Sequence, residues 1–397
     1  MPYPWLRLFH WRYTPLFARY YPLKIKQLRQ CRLPSDENGP RPRPAENPSS
    51  PLRPAVPASD KATVRAPQLQ LRQPDRQKLP EPPAVRTWLK KGWHLEIYRL
   101  PKLGNQLHEC EDAWAYACNH VVDHCSNYGI DHRRVWNWKS TGRLSIAISD
   151  GASDSYASAE WAQLLTYHAV QDAQERPDAN LAGNDLLSVL TANSVSRLVR
   201  DKLLQWLDQQ AESWRSHQHW DNLPWFVEAK AEQGAHATLL VAVFVLSQTH
   251  DHPVCTYRVL TIGDNCFFHF RGGKQLRMIP QMLADEFSCS PALVSTNCDY
   301  NRRHINEELI HLGHGEFRPG DEICLATDAL SAWIVQKLHG TSAHRHPVTT
   351  VFPDSSEEIV TFLNNLRSQS QMKNDDVTFV RLRWQQGKQW SLLPMKA

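Results

Sequence analysis

Apolar residues recur in short runs along residues 88–397, and the spacing within each run predicts a strand or a helix. Four helices are predicted from apolar positions at helical spacing: Ser158 to Gln174, Asp185 to Ser216, Ala329 to Leu338 and Ser356 to Ser368. Eight runs have the length and composition of strands: GWHLEIYRL, DAWAYAC, RLSIAISD, ATLLVAVFVLS, VCTYRVLTIGD, NCFFHFRG, DEICLATD and DVTFVRLRW. Because strands follow strands and helices follow helices, the pattern predicts an α+β fold with antiparallel sheets.

The first 87 residues have a different composition. From Arg32 to Val85 the chain is rich in Pro, Ser, Gln and Arg and poor in large apolar residues, so it cannot bury enough surface to offset its ordering entropy. Residues 1–31 interleave aromatic side chains with Arg and Lys, a pattern typical of contact with a partner protein or a polyanion, or with the chain's own acidic domain. We therefore expect a basic aromatic arm (1–31), a Pro-rich disordered linker (32–87) and one folded domain (88–397).

Charge and cysteine usage narrow the class of protein. The net charge is +4, but residues 1–88 hold 16 of the 45 Lys and Arg residues and only 6 of the 41 Asp and Glu residues, so the folded domain is acidic. No apolar run approaches the roughly 20 residues of a membrane span, and the start lacks the features of a signal peptide. The nine cysteines are scattered through apolar surroundings, as reduced core residues are. The sequence thus predicts a cytoplasmic protein.

Acidic residues stand at the ends of the predicted strands. A single acidic residue in such a place usually caps a helix or forms a turn. Several carboxylates at one rim of a sandwich would repel one another unless a divalent cation lay among them. Ligation by oxygen alone favours Mg²⁺ or Mn²⁺ over Zn²⁺. The residues concerned are Glu111, Asp112, Asp150, Asp264, Asp328, Asp375 and Asp376.

Six motifs in a fixed order resemble the metal-dependent serine/threonine phosphatases of the protein phosphatase 2C family. They are EDA, SDGAS, GAHATLLVAVF, TIGDNCFFHFRGG, GDEICLATDALSAW and NDDVTFVRL, and they extend over about Trp88 to Trp384. The stretches SDGASDSYASAEWAQLL and PWFVEAKAEQGAHATLL are similar to a bacterial subgroup of that family. The resemblance implies an antiparallel β-sandwich flanked by paired helices on both faces, with two cations, Mn²⁺ or Mg²⁺, at one end. It also implies hydrolysis of phosphoserine or phosphothreonine in phosphorylated proteins by metal-activated water.

The resemblance assigns roles to individual residues. Asp150 matches the aspartate that bridges both metals, and Asp112 matches a group that orients metal-bound water, so these two are the expected catalytic residues. Asp264 matches an aspartate that supports the site without ligating a metal. The positions expected to contact metal, directly or through water, are Glu111, Asp112, Asp150, the carbonyl of Gly151, Asp328 and Asp375.

Three departures from the family pattern leave an alternative open. Leu107, with His108 beside it, stands where many members have an arginine that binds phosphate. The metal loop reads DGASD in place of DGxGG, and Ala329 stands where glycine usually follows the third aspartate. The alternative is a catalytically silent binding or regulatory module that keeps the fold. A zinc cluster in CNHVVDHC is disfavoured because the spacing does not match that of a zinc finger. The glycine pair in RGGKQLR, Gly272 and Gly273, indicates a hairpin.

Overall fold

A computed structural model describes residues 92–385, apart from 120, 128, 137–141, 175–184, 218–224, 249–252, 288–289, 341–351 and 354–355. The predicted arm (1–31) and linker (32–87) lie outside the described residues. None of the described helices is both long and apolar enough to cross a membrane.

Two six-stranded sheets, antiparallel throughout, form the centre of the folded domain. The strands of the first sheet are β1 (Gly92–Leu100), β4 (Asp131–Trp136), β9 (Cys266–Arg271), β10 (Lys274–Ile279), β13 (Asp321–Ala326) and β14 (Val377–Gln385). Their order is β10-β9-β13-β14-β1-β4. The strands of the second sheet are β2 (Ala113–Cys118), β3 (Val121–His124), β5 (Arg143–Ser149), β7 (Leu239–Gln248), β8 (Pro253–Ile262) and β12 (His311–Phe317). Their order is β12-β8-β7-β5-β2-β3.

A short ladder and seven described α-helices complete the domain. The ladder joins β6 (His236–Ala237) to β11 (Val294–Ser295). The helices are α1 (Ser158–Asp172), α2 (Asp185–Thr191), α3 (Arg197–His217), α4 (Trp225–Gln233), α5 (Cys298–His304), α6 (Asp328–Gly340) and α7 (Ser356–Ser368).

Alternation along the strands explains the layered architecture. On β9, Phe267 packs into the core between the two sheets, whereas Phe268 packs on the opposite face with Leu330 of α6 and Leu363 of α7. On the second sheet, Trp161 of α1 belongs to the core cluster that also contains the inner strand residues. Both faces of the sandwich are therefore covered by helices. The predicted α+β sandwich with helices on both faces is confirmed.

The structure confirms the predicted strands to within a few residues and corrects one helix. Residues predicted as a single helix from Asp185 to Ser216 form α2 and α3, because the chain leaves the helical path between Thr191 and Arg197. The predicted hairpin is present between β9 and β10, where Gly272 and Gly273 adopt φ values of +55° and +77°. The pattern did not predict β3, β4, β12, α4 or α5.

Candidate metal centre

The backbone at the end of β5 is fixed by the start of β7. Thr238 N donates to the carbonyl of Asp150 at 2.9 Å, and Asp150 N donates to Thr238 Oγ1, also at 2.9 Å. Asn265 Nδ2 donates to the same Thr238 oxygen at 2.7 Å. These contacts hold the Asp150 backbone in place at the rim of the second sheet.

Asp112 and Asp150 form a buried carboxyl pair. Asp112 is fully buried, and its Oδ2 accepts a hydrogen bond of 3.0 Å from Thr327 Oγ1. Its Oδ1 is buried and receives no hydrogen bond from a donor group within the described part of the chain, while the Asp150 carboxyl lies within hydrogen-bonding reach. Burial, reinforced by the charge of Asp376, raises the pKa of Asp112 to about 7. Burial and then the charges of Asp112 and Asp328 raise the pKa of Asp150 well above its ordinary value.

Asp328 and Asp264 extend this acidic group. Asp328 is the first residue of α6, and burial raises the pKa of its carboxyl even though the ammonium group of Lys373 acts against the shift. Asp264, between β8 and β9, is 3% exposed, and none of the described residues forms a hydrogen bond with its Oδ1. Burial and the nearby charge of Asp328 raise the pKa of Asp264 to about 7. The sequence placed Asp264 in a supporting position, and the structure places it close enough to Asp328 for their charges to interact.

Asp375 has a different environment, since two lysines neutralise it. Lys373 Nζ lies 2.6 Å from Asp375 Oδ2 and 3.3 Å from Asp328 Oδ2. Lys102 Nζ lies 3.0 Å from Asp375 Oδ1. Burial alone would raise the pKa of Asp375, but the two ammonium groups outweigh burial and lower it. Asp375 is therefore an anion with its counter-charges already in place.

Gly151 and Glu111 meet where the β5 strand turns into α1. A Cβ on Gly151 would lie 2.9 Å from the carbonyl carbon and oxygen of Ser158 and 3.0 Å from the carbonyl oxygen of Glu111, so only glycine fits. The Glu111 carboxylate accepts a hydrogen bond of 3.1 Å from Ser158 Oγ and another from Ser153 Oγ. Glu111 is thus held at the start of α1.

The oxygen atoms around Asp112 and Asp150, which we call the inner carboxylates, form an arrangement that fits a bound cation. Within the ranges that the structure describes, no three His, Cys, Asp or Glu side chains already form a metal-binding group. Oδ1 of Asp112 and Oδ1 of Asp264 are nevertheless buried and have no hydrogen-bond partner among the residues that the structure describes. Buried, mutually repelling carboxylates with unpartnered oxygens are favourable ligands for a hard divalent cation. Asp112, Asp150 and Asp328 could hold one, with Asp264 beside them, whereas Asp375 could join only after its lysines withdraw.

Several residues that shape the site were missed by the sequence analysis. The buried Arg99 guanidinium donates to the carbonyl oxygens of Asp112 at 2.7 Å and Cys110 at 2.8 Å, which fixes the backbone of the acidic pair. Asp376 was among the acidic residues noted in the sequence, but its role was not predicted: it accepts hydrogen bonds from Lys102 N at 2.8 Å and Glu111 N at 2.7 Å, so it ties two loops together. Lys373, which pairs with Asp375 and Asp328, was also missed. Its position two residues before Asp375 in the sequence was the available signal.

The other candidate positions have environments different from that of the acidic cluster, which consists of Asp112, Asp150, Asp264 and Asp328. Leu107 and His108 form part of a short 3-10 helix, and His108 is exposed. Cys118 and Cys125 of the disfavoured zinc motif are buried in the hydrophobic core, and His120 lies outside the described residues.

Comparisons with known proteins find a likeness in structure alone. No protein-family model matches the chain, and no curated protein matches it. Among solved structures, the phosphatase domain of SpoIIE from Bacillus subtilis is 13% identical, with 77% of this chain and 99% of that chain covered and a TM-score of 0.35. The Mycobacterium tuberculosis serine/threonine phosphatase PstP is 15% identical, with 74% and 100% covered and a TM-score of 0.39.

A phosphatase from Toxoplasma gondii is 10% identical, with 75% of this chain and 96% of that chain covered and a TM-score of 0.41. Another similar structure is described as a protein phosphatase 2C domain, again of SpoIIE. These solved structures are described as phosphatases or phosphatase domains.

Proposed function

We propose that this chain is a metal-dependent phosphatase that hydrolyses phosphoserine or phosphothreonine in proteins with an activated water molecule. The observation that carries the proposal is the buried pair of Asp112 and Asp150, which lies close enough to Asp328 for their charges to interact. A protein that buries such carboxylates gives up stability unless a bound cation restores it. The motif order in the sequence supports the same class of enzyme.

The chain's own residues would divide the work as follows. Asp112, Asp150 and Asp328 would hold divalent cations, Mn²⁺ or Mg²⁺, with Gly151 and Glu111 beside them. When bound, the cations would supply positive charge to the phosphoryl oxygens and make an attacking water molecule more acidic. The pair of Asp112 and Asp150 shares a hydrogen-bonding contact, so it can hold or pass a proton at the carboxyl oxygens. Arg99 keeps the Asp112 backbone rigid.

A protein nucleophile is disfavoured by the environments of the cysteines. Burial raises the pKa of five described thiols, and only the thiolate form attacks phosphorus efficiently. They are Cys110, Cys255, Cys266, Cys298 and Cys324. The acidic cluster therefore supports attack by water rather than by a thiol.

The test is hydrolysis of a phosphothreonine peptide by the full chain with Mn²⁺, with and without a chelator. We expect phosphate release that the chelator abolishes and that fresh Mn²⁺ restores. The variant Asp150→Asn should be inactive, and Glu307→Gln, at an exposed position outside the cluster, should match the parent protein. Release of phosphate that is insensitive to chelator would contradict the proposal.

A second candidate function rests on Asp375. Because Lys373 and Lys102 already neutralise this carboxylate, the domain could keep its fold as a silent binding or regulatory module. This alternative predicts no phosphate release at millimolar Mn²⁺ or Mg²⁺ and no rise in melting temperature with either ion. A rise in melting temperature with activity would exclude it, because ligands that bind the folded state stabilise it.

A further inference from the structure

A pocket of about 290 Å³ opens directly beside the acidic cluster. It lies between the start of α6, the segment that follows β10 and the loop that precedes β14. Asp328 lines this pocket and also belongs to the candidate metal centre, so the two sites share a wall. The pocket is therefore a continuation of the centre.

The walls of the pocket differ from end to end. Most of the wall is apolar and comes from Ala284, Phe287, Ala329, Ala332, Trp333 and Met372. Trp333 and Met372 are themselves buried in the core that packs under α6 and α7. Since both are held by this core, the wall is preformed. Ala329 and Ala332, one helical turn apart, leave the space open.

The end of the pocket next to the cluster is charged. Lys373 lines the pocket, its side chain is 55% exposed, and its ammonium group lies between Asp328 and Asp375. The Arg99 guanidinium, by contrast, donates hydrogen bonds to two backbone carbonyl oxygens, and the side chain of Leu107 carries no charge. Among the described residues that line the pocket, Lys373 is thus the cationic side chain that also borders the carboxylates. Cations bound by the carboxylates would weaken its hold on them by charge repulsion.

We propose that this pocket receives a large apolar side chain of the substrate protein, within about two residues of the phosphorylated residue, while Lys373 pairs with the phosphate. The proposal rests on the proposed phosphatase function and adds a substrate class to it. With the phosphate at the carboxylate end of the pocket, the residues that flank the phosphorylated residue follow at about 3.5 Å per residue in an extended peptide. Their side chains are therefore within reach of the apolar wall. An apolar wall favours Leu, Met or Phe over charged residues at that place.

The test compares two phosphothreonine peptides that differ only in the flanking residues, which are leucine in one and serine in the other. With the full chain and Mn²⁺, we expect kcat/KM to be about 10-fold higher for the leucine peptide, the discrimination that an apolar pocket provides. Ala332→Leu should bring the ratio close to 1, because the added side chain fills the pocket. Ala332→Ser, the matched control, keeps the pocket open and should keep the ratio. Lys373→Met should raise KM for both peptides and leave the ratio unchanged.

The outcomes separate the pocket from the proposed function. Hydrolysis of p-nitrophenyl phosphate by the parent protein, together with a peptide ratio near 1, would overturn the pocket proposal and leave the phosphatase function standing. If nothing is hydrolysed, fluorescence anisotropy of the labelled peptides still tests the pocket through the same ratio of affinities. Equal binding of the unphosphorylated leucine peptide would identify a docking site for another protein and would overturn the proposal. If Ala332→Leu does not fold, the ratio of kcat/KM for the two peptides, measured on the parent protein, still tests the proposal.

Discussion

Replacing Asp112 with asparagine should make the metal-free protein more stable at neutral pH, although it removes a side chain of the candidate centre. Asp112 is fully buried, its Oδ1 lacks a donor, and its neighbour is the Asp150 carboxyl. An asparagine has nearly the same shape and can still accept a hydrogen bond from Thr327. Its amide group can also donate to Asp150, which the carboxylate of Asp112 cannot do once it has lost its proton.

The magnitude follows from the change in pKa on folding. The ordinary pKa of 3.8 rises to about 7 in the folded protein, so the folded state binds more protons than the unfolded state between those pH values. The free energy of unfolding therefore falls as pH rises from about 4 to about 7. At about 1.4 kcal/mol per pKa unit, the loss for the parent protein approaches about 4 kcal/mol. Because Asp112 and Asp150 titrate together, this loss belongs to the pair.

The assay is urea unfolding followed by tryptophan fluorescence, in chelator, at pH 5 and at pH 8. We expect Asp112→Asn to be more stable than the parent protein by about 1–4 kcal/mol at pH 8, with a smaller difference at pH 5. Asp285→Asn is the control, since Asp285 is exposed. The reasoning would be refuted if Asp112→Asn were no more stable than the parent protein at pH 8. With Mn²⁺ added, the parent protein should gain more stability than the variant.

Three further predictions concern the centre and the arm. Asp150→Asn should abolish the rise in melting temperature that Mn²⁺ causes, as seen by differential scanning fluorimetry, and an unchanged rise would contradict its central position. Gly151→Ala should lower the free energy of unfolding by about 1–3 kcal/mol in urea titrations, because its Cβ would press on the backbone of Glu111 and Ser158; a neutral effect would contradict this packing. Deleting residues 1–81 should leave the melting temperature unchanged, and an insoluble product would show that the arm is needed for folding.

The fold was largely predictable because burial on both faces of a sheet leaves a strong trace in the sequence. Strands such as β2 and β7 read as nearly continuous apolar runs, and the chain has few other ways to bury them. By contrast, β12 has the sequence HLGHGEF, which lacks such a run. A Cβ at its Gly315 would press on the buried ring of Tyr257 on the neighbouring strand β8, which favours glycine there. A requirement set by a neighbouring strand cannot be recognised from local spacing.

The sequence indicated the residue types of the candidate site, but it did not indicate which carboxylates are neutralised by a neighbouring cation. Carboxylates at strand ends were visible in the sequence, and the structure brings Asp112, Asp150 and Asp328 close enough for their charges to interact. Which carboxylate is neutralised depends on the path of the loops, and spacing does not reveal that path. Lys102 reaches Asp375 across 273 positions of the chain. No local pattern predicts an ion pair over such a separation.

The inner carboxylates and Asp375 are therefore expected to respond differently to a cation. The inner carboxylates, Asp112 and Asp150, repel each other in a buried setting and gain most from a cation. Asp375 is already paired with Lys373 and Lys102, so a cation there must first displace ammonium groups. We expect the inner position to bind a cation first, and calorimetry with Mn²⁺ should show Lys373→Met binding the ion about two- to fivefold more tightly, the gain expected from removing one partly exposed competing pair. Unchanged or weaker binding would contradict the competition. An ammonium group that a cation displaces from Asp375 would remain beside the pocket, where a phosphate is the anion best placed to receive it.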